Sequence, residues 1–193
     1  MTNPTQPTLA DAKLVDAIFV SIGETLATRL TWLNNVYGKS QRLKEIDGNG
    51  QEIIYPGVYV GSQDYLKVFP DGHLGNFCFF EVVDGEGFDF NQAGSNFTTL
   101  TFAIVFWWDF RSVFPSPADW TKYTIDNVKL LILQALSRVR LAKGFFRIRR
   151  SYEQAENIYR GYTDREVDQQ FLMRPYGGLR VEGDLKFSDK ANC

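Results

Sequence analysis

Leu179-Arg180-Val181-Glu182-Gly183-Asp184-Leu185-Lys186-Phe187 alternates apolar or small side chains with charged ones without a break. A period of two places Leu179, Val181, Leu185 and Phe187 on one face of an extended strand and the four charges on the other. The pattern predicts a strand with its apolar face on a core and its charged face in water, closing a sheet near the end of the chain. The partners of that strand lie upstream. Residues 97–108 form the longest β-like run, with Leu100, Phe102, Ile104 and Phe106 pointing one way and Thr99, Thr101, Ala103 and Val105 the other. Residues 77–83 read as a second strand and 145–149 as a short one. Residues 53–60 are rich in β-branched and aromatic side chains, but Pro56 and Gly57 mark them as an edge or bulged strand.

Helical spacing takes over elsewhere. Leu14, Val15, Ile18, Phe19, Ile22, Leu26 and Leu30 recur at intervals of three and four, which predicts a core-facing helix over about 11–33 with Asp11 as its cap. A second helix is expected over about 123–140. Ile125, Val128, Ile132, Ala135 and Val139 supply its stripe, and Leu130, Leu131, Leu133 and Leu136 widen it until most sides are apolar. Ser116-Pro117-Ala118-Asp119 announces a helix N-terminus just ahead of it. Residues 34–50 are polar and end in the turn signal Asp47-Gly48-Asn49-Gly50, so a long connection is expected there. Residues 151–176 read as irregular or weakly helical. Residues 1–10 hold two Pro, three Thr and no charge, as an extended N-terminal arm would. The fold class expected is α+β: a small, mostly antiparallel sheet flanked by two amphipathic helices, in a single domain over 11–193 behind the arm at 1–10.

Charge is segregated along the chain. Residues 68–110 carry six acidic side chains and no Lys or Arg, and residues 111–150 carry nine Lys or Arg against two Asp, while the whole chain nets only -2. A subunit whose acidic face docks on the basic face of an identical neighbour needs this kind of segregation, and two blocks folded against each other within one subunit would show it too. Aromatic residues make up 15% of the 193 residues, more than a chain of this size readily hides, and large aromatics are enriched in subunit contacts. No apolar run approaches the roughly 20 residues that span a bilayer, and no basic region followed by an apolar stretch opens the chain, so neither membrane insertion nor export is expected.

The chemistry of catalysis is sparse. His73 is the only histidine, and Cys78 and Cys193 are the only thiols, so neither a metal site nor a nucleophilic triad is expected. No phosphate loop and no dinucleotide fingerprint occurs. Asp84-Gly85-Glu86-Gly87-Phe88-Asp89 resembles part of a calcium loop but lacks the bidentate acid that such a loop requires, and reads as a hairpin with a solvated acidic tip. No enzyme activity, cofactor or metal is therefore expected. Arg138, Arg140, Lys143, Arg147, Arg149 and Arg150 place six cations within 13 residues, with Gly144-Phe145-Phe146 between them. Basic side chains interleaved with aromatics suit a nucleic-acid backbone, although the dipole of a helix C-terminus accounts for the first three.

The order of elements, and the segment Phe171-Leu172-Met173-Arg174-Pro175-Tyr176-Gly177-Gly178-Leu179-Arg180-Val181-Glu182-Gly183, resemble the tail-terminator and neck-ring (head-tail connector) proteins of tailed bacteriophages, including the crAss-like group, over about 11–187. The resemblance implies a non-enzymatic virion structural protein, made in the host cytoplasm and placed in the tail or neck. It would form a homo-oligomeric ring around the DNA channel, terminating or joining the tail tube. Its partners would be itself, other tail or neck proteins and, in passing, genomic DNA, with no membrane. The interface residues expected on this reading are Glu81, Asp84, Glu86 and Asp89 on the acidic side, with Arg138, Arg140, Lys143, Arg147, Arg149 and Arg150 on the basic side. Two alternatives stand beside it: a nucleic-acid-binding accessory protein using the basic 138–150 segment, and a hydrolase drawing on Asp84, Glu86 and Asp89 as paired carboxylates.

Overall fold

The computed structural model describes residues 14–61, 64–70, 73–90, 96–116, 121–142, 144–163, 171 and 173–188. The expected arm at 1–10, the Asp11 cap, Cys193 and positions 117–119 of the Ser116 signature lie outside the described residues. The fold is α+β. In chain order the elements are α1 (Leu14–Arg29), β1 (Asn35–Ile46), β2 (Glu52–Gly61), β3 (Asp64–Lys67), β4 (Phe77–Val82), β5 (Gly87–Phe90) and β6 (Asn96–Asp109). They continue with α2 (Phe110–Val113), α3 (Ile125–Leu136), β7 (Gly144–Tyr152), α4 (Ala155–Ile158) and β8 (Tyr176–Phe187).

The sheet is larger and more mixed than expected. Its eight strands run in the order β3-β2-β1-β4-β6-β8-β7, with β5 also paired to β6. The β1–β4 pairing is parallel and the other pairings are antiparallel. The extra width comes from residues 35–46, where a polar connection was expected. Beyond Ser40 this strand carries polar side chains on both faces, so no alternation marks it. Cross-strand partners hold it instead: Leu43 lies opposite Tyr55, Lys44 reaches Glu52 at 2.8 Å and Lys67 reaches Glu45 at 2.6 Å. The turn expected at 47–50 is present, with Gly50 at φ +78° and the Asp47 carboxylate accepting from the amides of Asn49 and Gln51.

β2 is bulged, with the register shifting between Tyr59↔Tyr65 and Gly61↔Asp64, but it is not an edge strand, because β1 and β3 pair with it on its two sides. Pro56 is tolerated where β3 has ended, and its carbonyl accepts from Val68 N–H at 2.9 Å. β8 does not close the sheet either. It is an interior strand, in register with β6 from Thr98↔Phe187 to Asp109↔Tyr176 and with β7 on its other side. The residues at 84–86 are not a hairpin tip. β4 and β5 run in succession along the same side of β6, and the four residues 83–86 stand against two, Leu100 and Thr101, on the partner strand. They form a two-residue insertion in one long ribbon.

Both long helices lie on one face of the sheet instead of flanking it. Phe19, Ile22 and Leu26 of α1, with Val128, Ile132 and Leu136 of α3, pack on Phe80, Phe102, Ile104, Phe106, Leu179 and Val181. Each such side chain contributes roughly 1.5–3 kcal/mol by burial. α3 begins later than expected, at a capping box formed by Thr124 and Asn127. It is less enclosed than its leucines suggested, since Leu130 is 55% exposed while Ile132 is wholly buried. The other face carries a second, aromatic core in which Tyr37, Phe77, Phe79, Val105 and Trp107 meet Ile158, Tyr159 and Tyr162 of the 155–163 segment. No helix among the described residues is long and apolar enough to cross a membrane.

This asymmetry of α3 is testable. Ile132→Asp, which places an unpaired carboxylate in the helix-covered core, is expected to abolish the cooperative thermal transition followed by circular dichroism. Leu130→Asp is expected to leave the midpoint within a few degrees of the parent chain.

Candidate functional site

The charged face of β8 divides into a buried half and an exposed half. Ala103 of β6 stands in register between Glu81 of β4 and Glu182 of β8, and its small side chain leaves room above the sheet for one long neighbour. Arg180 fills that room. It is 1% exposed, pairs with Glu81 through one guanidinium nitrogen and with Glu182 through Nε at 2.7 Å. Arg160 adds a second cation to Glu182 at 2.8 Å. Tyr162 donates its hydroxyl to Glu81 and lies 3.3 Å from the Ser40 hydroxyl. Burial works against the Arg180 charge, but the two carboxylates outweigh it and hold its pKa above the ordinary arginine value. Burial, reinforced by the Glu81 carboxylate, pushes the Tyr162 hydroxyl up, which keeps it a donor.

Glu81 is thus not an interface residue. It is 4% exposed and committed inside its own subunit. Two carboxylates and two guanidiniums, with the Tyr162 hydroxyl, clamp the sheet to the 155–163 segment.

The exposed half gathers the other expected residues. β7 carries one extra residue, Arg149, between the pairs Ile148↔Gly183 and Arg150↔Glu182. The bulge places Arg147 opposite Asp184 and Arg150 opposite Glu182, both on the face away from the helices. Arg149 itself binds Asp184 at 2.9 Å and reaches the Thr101 hydroxyl at 3.4 Å. Gly183 is required beneath this bulge, because a Cβ there would lie 2.3 Å from the Arg147 carbonyl oxygen. Asp84 and Glu86 are exposed on the insertion beside β6. A shallow cavity of about 460 Å³ is lined by Asp84, Thr101, Phe145, Asp184 and Lys186. The acidic insertion and the start of β7 therefore meet at the same end of one subunit. Arg138 and Arg140 sit beyond the end of α3, where Arg140 caps the carbonyls of Ser137 and Val139 at 3.0 and 2.9 Å. Lys143 and the side chain of Asp89 lie outside the described residues.

Among the described residues no group of three or more His, Cys, Asp or Glu is placed to hold a metal ion. His73 is exposed. Cys78 is completely buried and its thiol is pushed far above the ordinary cysteine range by burial, so it is inert. Of the described acids named for hydrolysis, Asp84 lines the cavity and Glu86 does not. Arg29 and Trp32, at the end of α1, were missed by the sequence reading, because each looks like an ordinary helix-terminal residue until α3 is laid beside it.

No protein-family model matches the chain, and no curated protein matches it.

Removing Glu81 leaves Arg180 with one carboxylate in a closed site, so Glu81→Ala is expected to cost about 3–5 kcal/mol in urea unfolding. The double variant Glu81→Met/Arg180→Met is expected to lose clearly less than the sum of the two single changes. In a Cys193→Ser chain, a thiol reagent at mildly alkaline pH is expected to label Cys78 only after denaturant is added.

Proposed function

We propose that the chain is a non-enzymatic virion structural protein that assembles as a homo-oligomeric ring in the tail or neck of a tailed bacteriophage, around the DNA channel. The observation that carries this reading is the composition of one end of the sheet. Asp84 and Glu86 are exposed there, Phe145 shares the Asp84-lined cavity at 62% exposure, Arg147 follows two residues along β7, and Phe88, 54% exposed, lies on β5. Large aromatics set among unpaired charges suit a contact surface better than a solvated one. No strand among the described residues pairs with the outer edge of β7, and its bulge and arginines discourage indiscriminate strand pairing while leaving charge available to a chosen neighbour.

A second reading draws on the same strand. Arg147, Arg149 and Arg150 lie close to exposed Phe145, a combination that suits a nucleic-acid backbone with one stacked base.

Light scattering across protein and salt concentration separates these readings. A ring is expected as a defined oligomer that weakens as salt rises, and Arg147→Glu/Arg150→Glu is expected to shift it toward smaller species without changing the thermal midpoint. A monomer under all conditions, alone and with tail-tube or head-completion proteins, overturns the ring. A gel shift on random-sequence DNA that the same double variant abolishes favours the second reading.

A further inference from the structure

A cavity of about 570 Å³ opens on the helix side, where the end of α1 faces the second half of α3. Arg29 and Trp32 line one wall and Gln134 and Arg138 the other, and no acidic side chain among the described residues borders it. Arg29 and Arg138 are exposed, and neither side chain has an ion-pair partner among the described residues. The Trp32 indole nitrogen is buried with no acceptor among the described residues. The dipoles of the two helix C-termini account for cations at these places. They do not account for a cleft that two guanidiniums line with no described carboxylate beside them. The cleft is built for an oxyanion.

The chain carries matching acceptors that its own cleft cannot use. Asp84 and Glu86 are exposed on the β4–β5 insertion and have no ion-pair partner among the described residues. That insertion adjoins Thr99 and Thr101, where Val83 N–H bonds the Thr101 carbonyl at 2.9 Å and Gly87 faces Thr99. The cleft adjoins the other end of the same strand, where Trp32 meets Trp108 edge-on with ring centroids 6.2 Å apart. Seven residue steps along β6 lead from Thr101 to Trp108, about 23 Å at the rise of an extended strand. Acid and base at opposite ends of a subunit satisfy each other only between copies, and each copy then offers one of each.

We infer that the Asp84-Gly85-Glu86 insertion of one copy seats in the Arg29–Arg138 cleft of the next, head to tail. Arg29 and Arg138 pair with the two carboxylates. Gly85 gives the insertion a narrow tip, with nothing within 4 Å of a Cβ built there. The inference rests on the ring reading and changes its geometry: the β7 arginines share an end with the acidic insertion, and Arg149 is already held by Asp184, so they border the contact instead of receiving it.

A charge swap tests this. Arg29→Glu/Arg138→Glu and Asp84→Arg/Glu86→Arg are each expected to raise the concentration needed for assembly about tenfold or more. Mixing the two variants is expected to restore assembly, because each supplies the face that the other lacks, and so is a chain carrying all four changes. Circular dichroism confirms that each variant is folded, and Arg29→Gln/Arg138→Gln replaces the reversal if it is not. If the parent chain assembles and neither variant is weakened, or if mixing fails to restore assembly, the inference is overturned while the ring reading stands. A monomeric parent chain overturns both.

Discussion

Arg180 carries a permanent charge into the middle of the sheet, at a point that water does not reach, and much of the architecture on that face follows from satisfying it. A guanidinium left alone there would cost several kcal/mol. Glu81 arrives from the strand beyond β6 and Glu182 from two positions along β8, and both can reach because Ala103 occupies the row between them. Two carboxylates against one guanidinium leave an excess of negative charge, which Arg160 and the Tyr162 hydroxyl then offset. The 155–163 segment must lie over the sheet for those two groups to arrive. Gly161, at φ +89°, gives the turn that returns the chain between them, and a side chain there would collide with Arg42. Thr163 fastens the end of the segment to β2 by exchanging two hydrogen bonds with Ile54, at 2.8 and 2.9 Å.

The two faces of the sheet are held by different means. Under α1 and α3 the core contacts are apolar, with Phe19 stacked on Phe80 at 4.7 Å between centroids, and an ion pair between Asp16 and Lys39 at 3.2 Å sits at the margin. On the opposite face the aromatic core around Trp107 and Tyr159 grades into the ion cluster, then into solvent at Asp184. β6 joins them, giving Phe102, Ile104 and Phe106 to one side and Ala103, Val105 and Trp107 to the other. Most deletions on the apolar face leave a cavity, whereas a deletion in the ion cluster leaves an uncompensated charge.

Periodicity in the sequence revealed the elements that bury one clean face, such as α1, β6 and the apolar side of β8. It failed where tertiary partners supply the stability. Residues 35–46 have no alternation because β1 leaves the main sheet and pairs polar side chains with β2. The alternation of Arg180, Glu182, Asp184 and Lys186 was legible, but the burial of the first two depends on Tyr162 and Arg160, which sit in a stretch without pattern. Likewise the acidic run at 84–86 looked like a hairpin tip, since only the register against Leu100 and Thr101 reveals that both flanking strands share one partner. Of the expected interface residues, Glu81 fails for the same reason: its environment is made by Tyr162 and Arg180, 81 and 99 positions away along the chain.

Charge segregation along the chain resolves into three fates once the fold is known. Glu81, Arg160, Arg180 and Glu182 neutralise one another in the interior. Arg149 with Asp184, and Lys129 with Glu153, form surface pairs within the subunit, which add little to stability but use up charge. Asp84, Glu86, Arg29, Arg138 and Arg147 are left without ion-pair partners among the described residues. The net charge of -2 hides this remainder because the two signs nearly cancel. Position matters more than count here: the unpaired acids lie at the Thr101 end of β6, while Arg29 lies by way of Trp32 at the Trp108 end. A separation that exceeds the reach of any side chain turns a nearly neutral subunit into one with a head and a tail, and that polarity is what a heterologous contact between identical copies needs.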